Sequence, residues 1–363
     1  MAKATDMIIG IDVFGRKTLK RYNGNSSRIV IPADIVVVGG GAFQNNEYIE
    51  EISFEGPTEK IGRNAFSGCK NLRSVDFSEG LISIGKMAFF NCSKLDFVEI
   101  PEGVKRIGLN AFQKCDALED IIIPNSLLEC YGAFENMDEL LQKNASYTTM
   151  SGFFMNHAKK AILYSQSESN KNLREFFVPD GITSIGSFAF AEMSHLEKVI
   201  LPKSVKYIGE SAFEQCSNLR EIIIPESVER IGAAAFRSCT SLRSVILPPN
   251  LRNIDDYLFG VCPHLTAITI PDGVLKIGDD AFFGCSSLSE IEIPESVKII
   301  DSTAFNSCVS LKNAVFHRGL REIGFMAFAS CALESVTLPP NIVIQEHAFD
   351  DYCEIQFMDG GEK

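Results

Sequence analysis

Nine cysteines stand at one fixed place in a recurring pattern: Cys69, Cys92, Cys115, Cys216, Cys239, Cys262, Cys285, Cys308 and Cys331 each follow a Phe by three residues. Thiols can ligate metals, cross-link chains or attack electrophiles, so this column is the first place to look for chemistry. No Cys-x-x-Cys pair occurs, and a single file of thiols supplies no tetrahedral cluster, so no metal site is expected. One thiol per stacked coil would put neighbours about 4.8 Å apart, inside the Cα range of a disulfide. Stacked side chains point in parallel rather than at each other, however, which disfavours bridging, and the total of 11 cysteines is odd. Free Cys packs as a small hydrophobe. The expectation is a reduced structural ladder, which favours a reducing compartment.

The other chemistry-bearing residues form no constellation. His157, His195, His264, His317 and His347 sit in different repeats, without the spacing of a metal site or a triad. The stretch from Gly10 to Thr18 imitates a phosphate loop, but Gly15-Arg16-Lys17-Thr18 is one residue out of register and no helix pattern follows. Gly39-Gly40-Gly41 falls where other repeats place Ile-Gly, and is turn punctuation. Asn25-Ser26-Ser27 and Asn144-Ala145-Ser146 match glycosylation acceptors, which act only in a secretory context. No catalytic residue and no cofactor are expected.

These residues ride on a repeat. Phe recurs at 43, 66, 89, 112 and 134, then at 190, 213, 236, 259, 282, 305, 328 and 349, almost always after Ala. Most steps are 23 residues; those ending at Phe134, Phe190 and Phe349 are 22, 56 and 21. A fixed period of 20–29 residues signals a solenoid, whose units bury their apolar side only against their neighbours. Six residues after Phe comes Leu, then an apolar pair two apart and a Pro, as in Ile222, Ile224 and Pro225. This alternation suits a strand with one buried face, ended by a Pro that has no amide hydrogen to donate. Val228 and Ile231-Gly232 then predict a second, shorter extended segment, and Ala-Phe-x-x-Cys one helical or 3₁₀ turn.

The stretch from Leu219 to Cys239, Leu-Arg-Glu-Ile-Ile-Ile-Pro-Glu-Ser-Val-Glu-Arg-Ile-Gly-Ala-Ala-Ala-Phe-Arg-Ser-Cys, resembles the BspA-like branch of the leucine-rich-repeat family. The resemblance covers roughly residues 28–350, apart from one interruption. It implies a curved solenoid with parallel strands on its concave side, in a family known mainly for surface and interaction proteins. The expected fold is thus an α/β-type leucine-rich-repeat solenoid, mostly β. It is a right-handed curved superhelix with a concave parallel sheet and short extended or 3₁₀/helical convex segments.

The period lapses between Phe134 and Phe190 and resumes at Phe177-Val178-Pro179. Residues 152–164 resemble two short strands around a polar turn, and the N-terminal stretch from Ile8 to Tyr22 does the same. Both are expected to be β-hairpins that begin an array. The second is either a structural starter or a binding protrusion. The domain expectation is residues 1–149 for the first hairpin and array, and 150–363 for the second hairpin and a second array, continuous with the first.

Charge narrows the partners. The 363 residues carry a formal net charge of −13, which repels phosphate backbones and anionic lipid, so neither nucleic acid nor a membrane surface is an expected partner. No run of 18 apolar residues occurs to span a bilayer, and the N-terminus lacks the apolar region of a signal peptide. The sequence as it stands points to the cytoplasm, with secretion or a cell-surface location as the alternative if a leader was removed.

If Ile222 and Ile224 face the core, Glu221 and Ile223 face outward. The same register places Ile200, Ile223 and Ile246 in one exposed stripe about 10 Å long. Phe97 and Ile122 make a smaller patch, and Glu290 and Glu292 put acid beside the stripe. Exposed apolar stripes on a rigid sheet mark protein contacts, although β-branched residues also favour strands for their own sake. The expected function is a non-enzymatic scaffold that binds a protein on the concave sheet, with Phe97, Ile122, Ile200, Ile223, Ile246, Glu290 and Glu292 as candidate contacts. The alternative is a cell-surface adhesin for host matrix protein or glycan. Against it, the chain has no Trp and few outward aromatics to serve as sugar platforms.

Overall fold

The computed structural model describes residues 6–124, 126–128, 130, 132–133, 147–150, 153–156, 161–165 and 172–359. The chain divides into two compact units, Met1–Met150 with Phe154–Leu163, and Ser151–Phe153 with Tyr164–Lys363. Each is a parallel-stranded solenoid with almost no helix among its described residues.

Each coil contributes two strands. One is usually three residues long, with its middle side chain inward, as in Glu221–Ile223. The other is a two-residue strand, such as Arg230–Ile231, with Ile inward. In the first unit the longer strands run Arg28–Ile31, Glu51–Phe54, Ser74–Asp76, Phe97–Glu99 and Asp120–Ile122. The shorter row there begins at an antiparallel hairpin of Met7–Ile11 and Lys17–Tyr22, as expected from the sequence. The Asp12 carboxylate caps its turn, accepting the Phe14 and Arg16 amides at 2.9 Å.

In the second unit the longer row runs from Glu175–Phe177 through Lys198–Ile200, Glu221–Ile223, Ser244–Ile246 and Ala267–Ile268 to Glu290–Glu292 and Asn313–Val315. Within this stretch successive partners are 23 residues apart, as in Lys198↔Glu221 and Glu221↔Ser244. At the expected second hairpin, Phe153–Asn156 and Ala161–Ser165 are hydrogen-bonded neighbours, and a third strand, Tyr147–Met150, precedes them. Its turn with His157, the acceptor at Asn144, and Phe134 lie outside the described residues.

The Phe positions superpose. Phe43, Phe66, Phe89 and Phe112 stack with centroids 4.8–5.1 Å apart. In the second unit the stack runs from Phe190 to Phe349 at 4.9–5.6 Å, and neighbouring planes are tilted by no more than 19°. Leu219, Leu242, Leu265 and Leu288 form a parallel file, all fully buried. Coils approach closely where side chains are absent: a Cβ on Gly232 would lie 2.6 Å from the Glu210 nitrogen of the preceding coil.

The Ala-Phe segment departs from the expected helical or 3₁₀ turn. Alternate amides reach forward to the next coil: Ser211 to Ala233, Phe213 to Ala235 and Gln215 to Arg237, at 2.8–2.9 Å. A helix would consume these donors within its own segment. The segment is instead a chain of turns, with left-handed residues two before and two after the Phe, as at Ser211 (φ 53°) and Gln215 (φ 61°). The same pair recurs at Tyr257 (φ 56°) and Val261 (φ 60°).

The cysteine column does more than fill space. Each thiol donates to the carbonyl of the Phe one coil back, as from Cys239 to Phe213 and from Cys262 to Phe236, both at 3.2 Å. All eleven cysteines are free, and only Cys353 is not buried. Burial pushes the Cys216 and Cys285 thiols up to about 12. Burial and the neighbouring Asp350 raise the Cys353 thiol as well, so native protein treated with Ellman's reagent at neutral pH should expose one slowly reacting thiol, Cys353, and denatured protein all eleven. Rapid reaction of several thiols before unfolding would show that the ladder is open.

Candidate functional site

On the longer strands the pleat sends the first and third side chains outward and the middle one into the core. Phe176, Val199, Ile222 and Val245 are accordingly buried, and their strand neighbours Phe177, Ile200, Ile223 and Ile246 are exposed by 62%, 40%, 68% and 66%. These four stand directly opposite one another across parallel ladders: Phe177↔Ile200, Ile200↔Ile223 and Ile223↔Ile246. The stripe spans about 14 Å at one strand spacing per step.

Phe177 heads this column one strand before Ile200, the first member expected from the sequence. The signal was present, because Phe177-Val178-Pro179 repeats the form of Ile223-Ile224-Pro225. It lies at the first strand after the broken period, where no preceding unit fixes its phase.

The smaller patch of the first unit is not brought together in the same way. Phe97 and Ile122 are both exposed, but the register pairs Phe97 with Asp120 and Ile122 with Glu99. The two apolar side chains are therefore diagonal, each directly opposite a carboxylate. They form no continuous stripe.

Glu290 and Glu292 lie outward on the same face of the second unit as the stripe. The ladder joins Ser244–Val245 to Ala267–Ile268, and Glu290–Glu292 to Asn313–Val315, but among the described residues no pair connects these two groups. A hollow of about 780 Å³ opens there, with Asp272, Glu290, Glu292, Glu295, Val315 and His317 in its lining. Glu292 meets the His317 imidazole at 3.2 Å. Among the described residues no cationic side chain comes within 4.0 Å of the Asp272, Glu290 or Glu295 carboxylates, and Lys298 reaches only the backbone oxygen of Glu295, at 3.1 Å.

A separate carboxylate column, Asp256, Asp279 and Asp301, escapes the sequence reading. An oxygen from each lies within 4.8 Å of the others. Burial and the negative neighbours Asp301 and Asp256 raise the Asp279 carboxyl above its ordinary value. Lys276 already supplies counter-charge, 2.5 Å from Asp301. Such a column can share protons or attract a cation. His195, His264 and His347 are exposed on separate coils.

The model of the BspA type leucine rich repeat region matches residues 17–141, 162–289 and 242–356, with six copies. A leucine-rich repeat protein from Bacteroides ovatus is 26% identical, with 98% of each chain covered and a TM-score of 0.46. One from Eubacterium ventriosum is 19% identical, over 99% of this chain and 96% of the other, with a TM-score of 0.44. A leucine rich cell surface protein from Faecalibacterium prausnitzii is 24% identical, over 86% and 94%, with a TM-score of 0.36. No curated protein matches. No helix among the described residues is long and apolar enough to cross a membrane.

Proposed function

The chain belongs to the BspA-type leucine-rich-repeat family, and from that membership we propose that it is a non-enzymatic scaffold that captures a protein partner on the outward face of the longer strands in its second unit. Leucine-rich-repeat proteins are in general interaction scaffolds. The single observation that carries the assignment to this face is the stripe of Phe177, Ile200, Ile223 and Ile246, four exposed apolar side chains in direct register. A row of rigid strands presents them without rearrangement, so little ordering cost opposes binding.

Ile223, the most exposed of the four, is the position to test. Ile223→Glu should weaken partner binding about 100-fold, as expected for a central apolar contact replaced by a charge. Its thermal unfolding should stay within about 2 °C of wild type, because an outward surface substitution changes stability by only a few tenths of a kcal/mol. The measurement is a titration of the partner recovered by photo-crosslinking from residue 223. Equal affinity for wild type and variant would remove this face from the function. The intracellular and adhesin forms of the proposal separate on fractionation of source cells: the first leaves the protein in the soluble fraction, the second on the surface.

A further inference from the structure

We propose that the segment captured on this face is basic at one end: its apolar side chains lie along the stripe, and a Lys or Arg enters the acidic hollow beside it. The inference rests on the scaffold reading and specifies the chemistry of the partner.

The geometry is a matter of strand steps. Ile246, Thr269, Glu292 and Val315 occupy the same outward place on successive coils. One step of strand spacing, about 5 Å, separates the last Ile of the stripe from Thr269, and Glu292 stands at the same place on the coil after it, across the interruption in pairing. A segment lying across the strands with apolar contacts at Ile200, Ile223 and Ile246 therefore reaches the hollow within a few residues. There it meets Glu290, Glu292, Asp272 and Glu295, with Val315 also in the lining. His317 is the one ion-pair partner found for these carboxylates among the described residues.

An uncharged or acidic segment would leave these groups without a counter-ion while displacing the water that solvates them, which is unfavourable. A Lys or Arg resolves this: its aliphatic stem packs on Val315 while its charge faces the carboxylates. Charge complementarity thus selects the partner, and the stripe supplies most of the affinity.

The test is a selection of displayed random peptides, about 16 residues long to span stripe and hollow, on the immobilised full chain, with counter-selection on the Ile223→Glu variant. Supporting the inference, the Ile223-dependent peptides carry an apolar run followed by Lys or Arg. The Glu290→Gln/Glu292→Gln double variant, folded as judged by its thermal transition, then binds them about tenfold more weakly. Raising salt from about 50 to about 500 mM should weaken the wild type more than the variant, which keeps Asp272 and Glu295. Ile223-dependent peptides that are neutral or acidic, or that bind the double variant as tightly as wild type, overturn the inference and leave the stripe standing. Failure to enrich any Ile223-dependent peptide overturns the stripe as a capture surface, and this inference with it.

Discussion

Phe236→Ala lowers the stability of the second unit by about 3–5 kcal/mol, the range for deleting a fully buried aromatic side chain. Phe236 has no exposed surface and lies between Phe213 and Phe259, with centroids 5.4 and 5.6 Å away and planes tilted by 3° and 7°. Removal leaves a void facing two rings, and neither can move to fill it, because the backbone of each coil is bonded to the next. Stability in a stacked array is carried by interfaces between neighbours, so the loss falls on two of them at once. Calorimetry should show a lower transition temperature, and a split transition if the array comes apart at that coil. Phe236→Leu, which keeps most of the volume, should recover more than half of the loss. A Phe236→Ala variant within about 1 kcal/mol of wild type would mean that the ring file contributes nothing beyond its neighbours.

Ile222→Asp and Ile223→Asp should have opposite consequences although the residues adjoin. Ile222 is 2% exposed and Ile223 is 68% exposed. The first substitution buries a carboxyl group among apolar side chains and deletes packing, at a cost above about 4 kcal/mol near neutral pH. The second is expected to change stability by less than about 0.5 kcal/mol. Burial raises the folded-state pKa of the carboxyl introduced by Ile222→Asp above its unfolded value, so the folded form holds the proton more tightly. The penalty is therefore smallest at acid pH and grows as pH rises past the unfolded value of about 4. Urea denaturation at about pH 4 and about pH 7, on either side of that rise, measures this directly. Equal destabilisation by the two variants, or none by either, would mean that the strand register is wrong.

Much of this architecture was legible because the residues that repeat are the ones that touch their own counterparts. Phe213 stacks on Phe236, Cys239 bonds to Phe213, and Ile222 pairs with Val245, so each position constrains the next to the same residue type. The left-handed turns flanking each Phe were only partly legible. Gly41, Asn45, Asn64, Gly68, Asn91 and Asn110 carry the Gly or Asn that ordinarily announces positive φ, whereas Met87, Phe188, Ser211, Tyr257, Val261 and Thr303 do not. There the ladder to the adjacent coil imposes the conformation, and local preference yields.

The candidate face divides in the same way. Alternation along each strand revealed that Ile200, Ile223 and Ile246 face outward. It could not reveal that Phe97 and Ile122 stand diagonally, because facing outward does not specify which outward column a residue joins. The hollow beside Glu290 lies where backbone pairing is interrupted, and that interruption leaves no mark on residue types. The Asp256, Asp279 and Asp301 column went unseen because Asp301 is one residue out of phase with the other two, although their carboxylates converge in space.

Register also governs how such a chain can change in length. Every coil from Lys198 to Ser244 presents its successor with the pattern it received, residue for residue. Duplication or loss of one whole 23-residue segment by recombination would therefore join two surfaces that already match. Removal of a single residue inside a strand would turn the later inward side chains of that strand to solvent. Evolution can thus lengthen or shorten this recognition surface in discrete increments, adding or deleting binding positions while leaving the chemistry of those that remain unchanged.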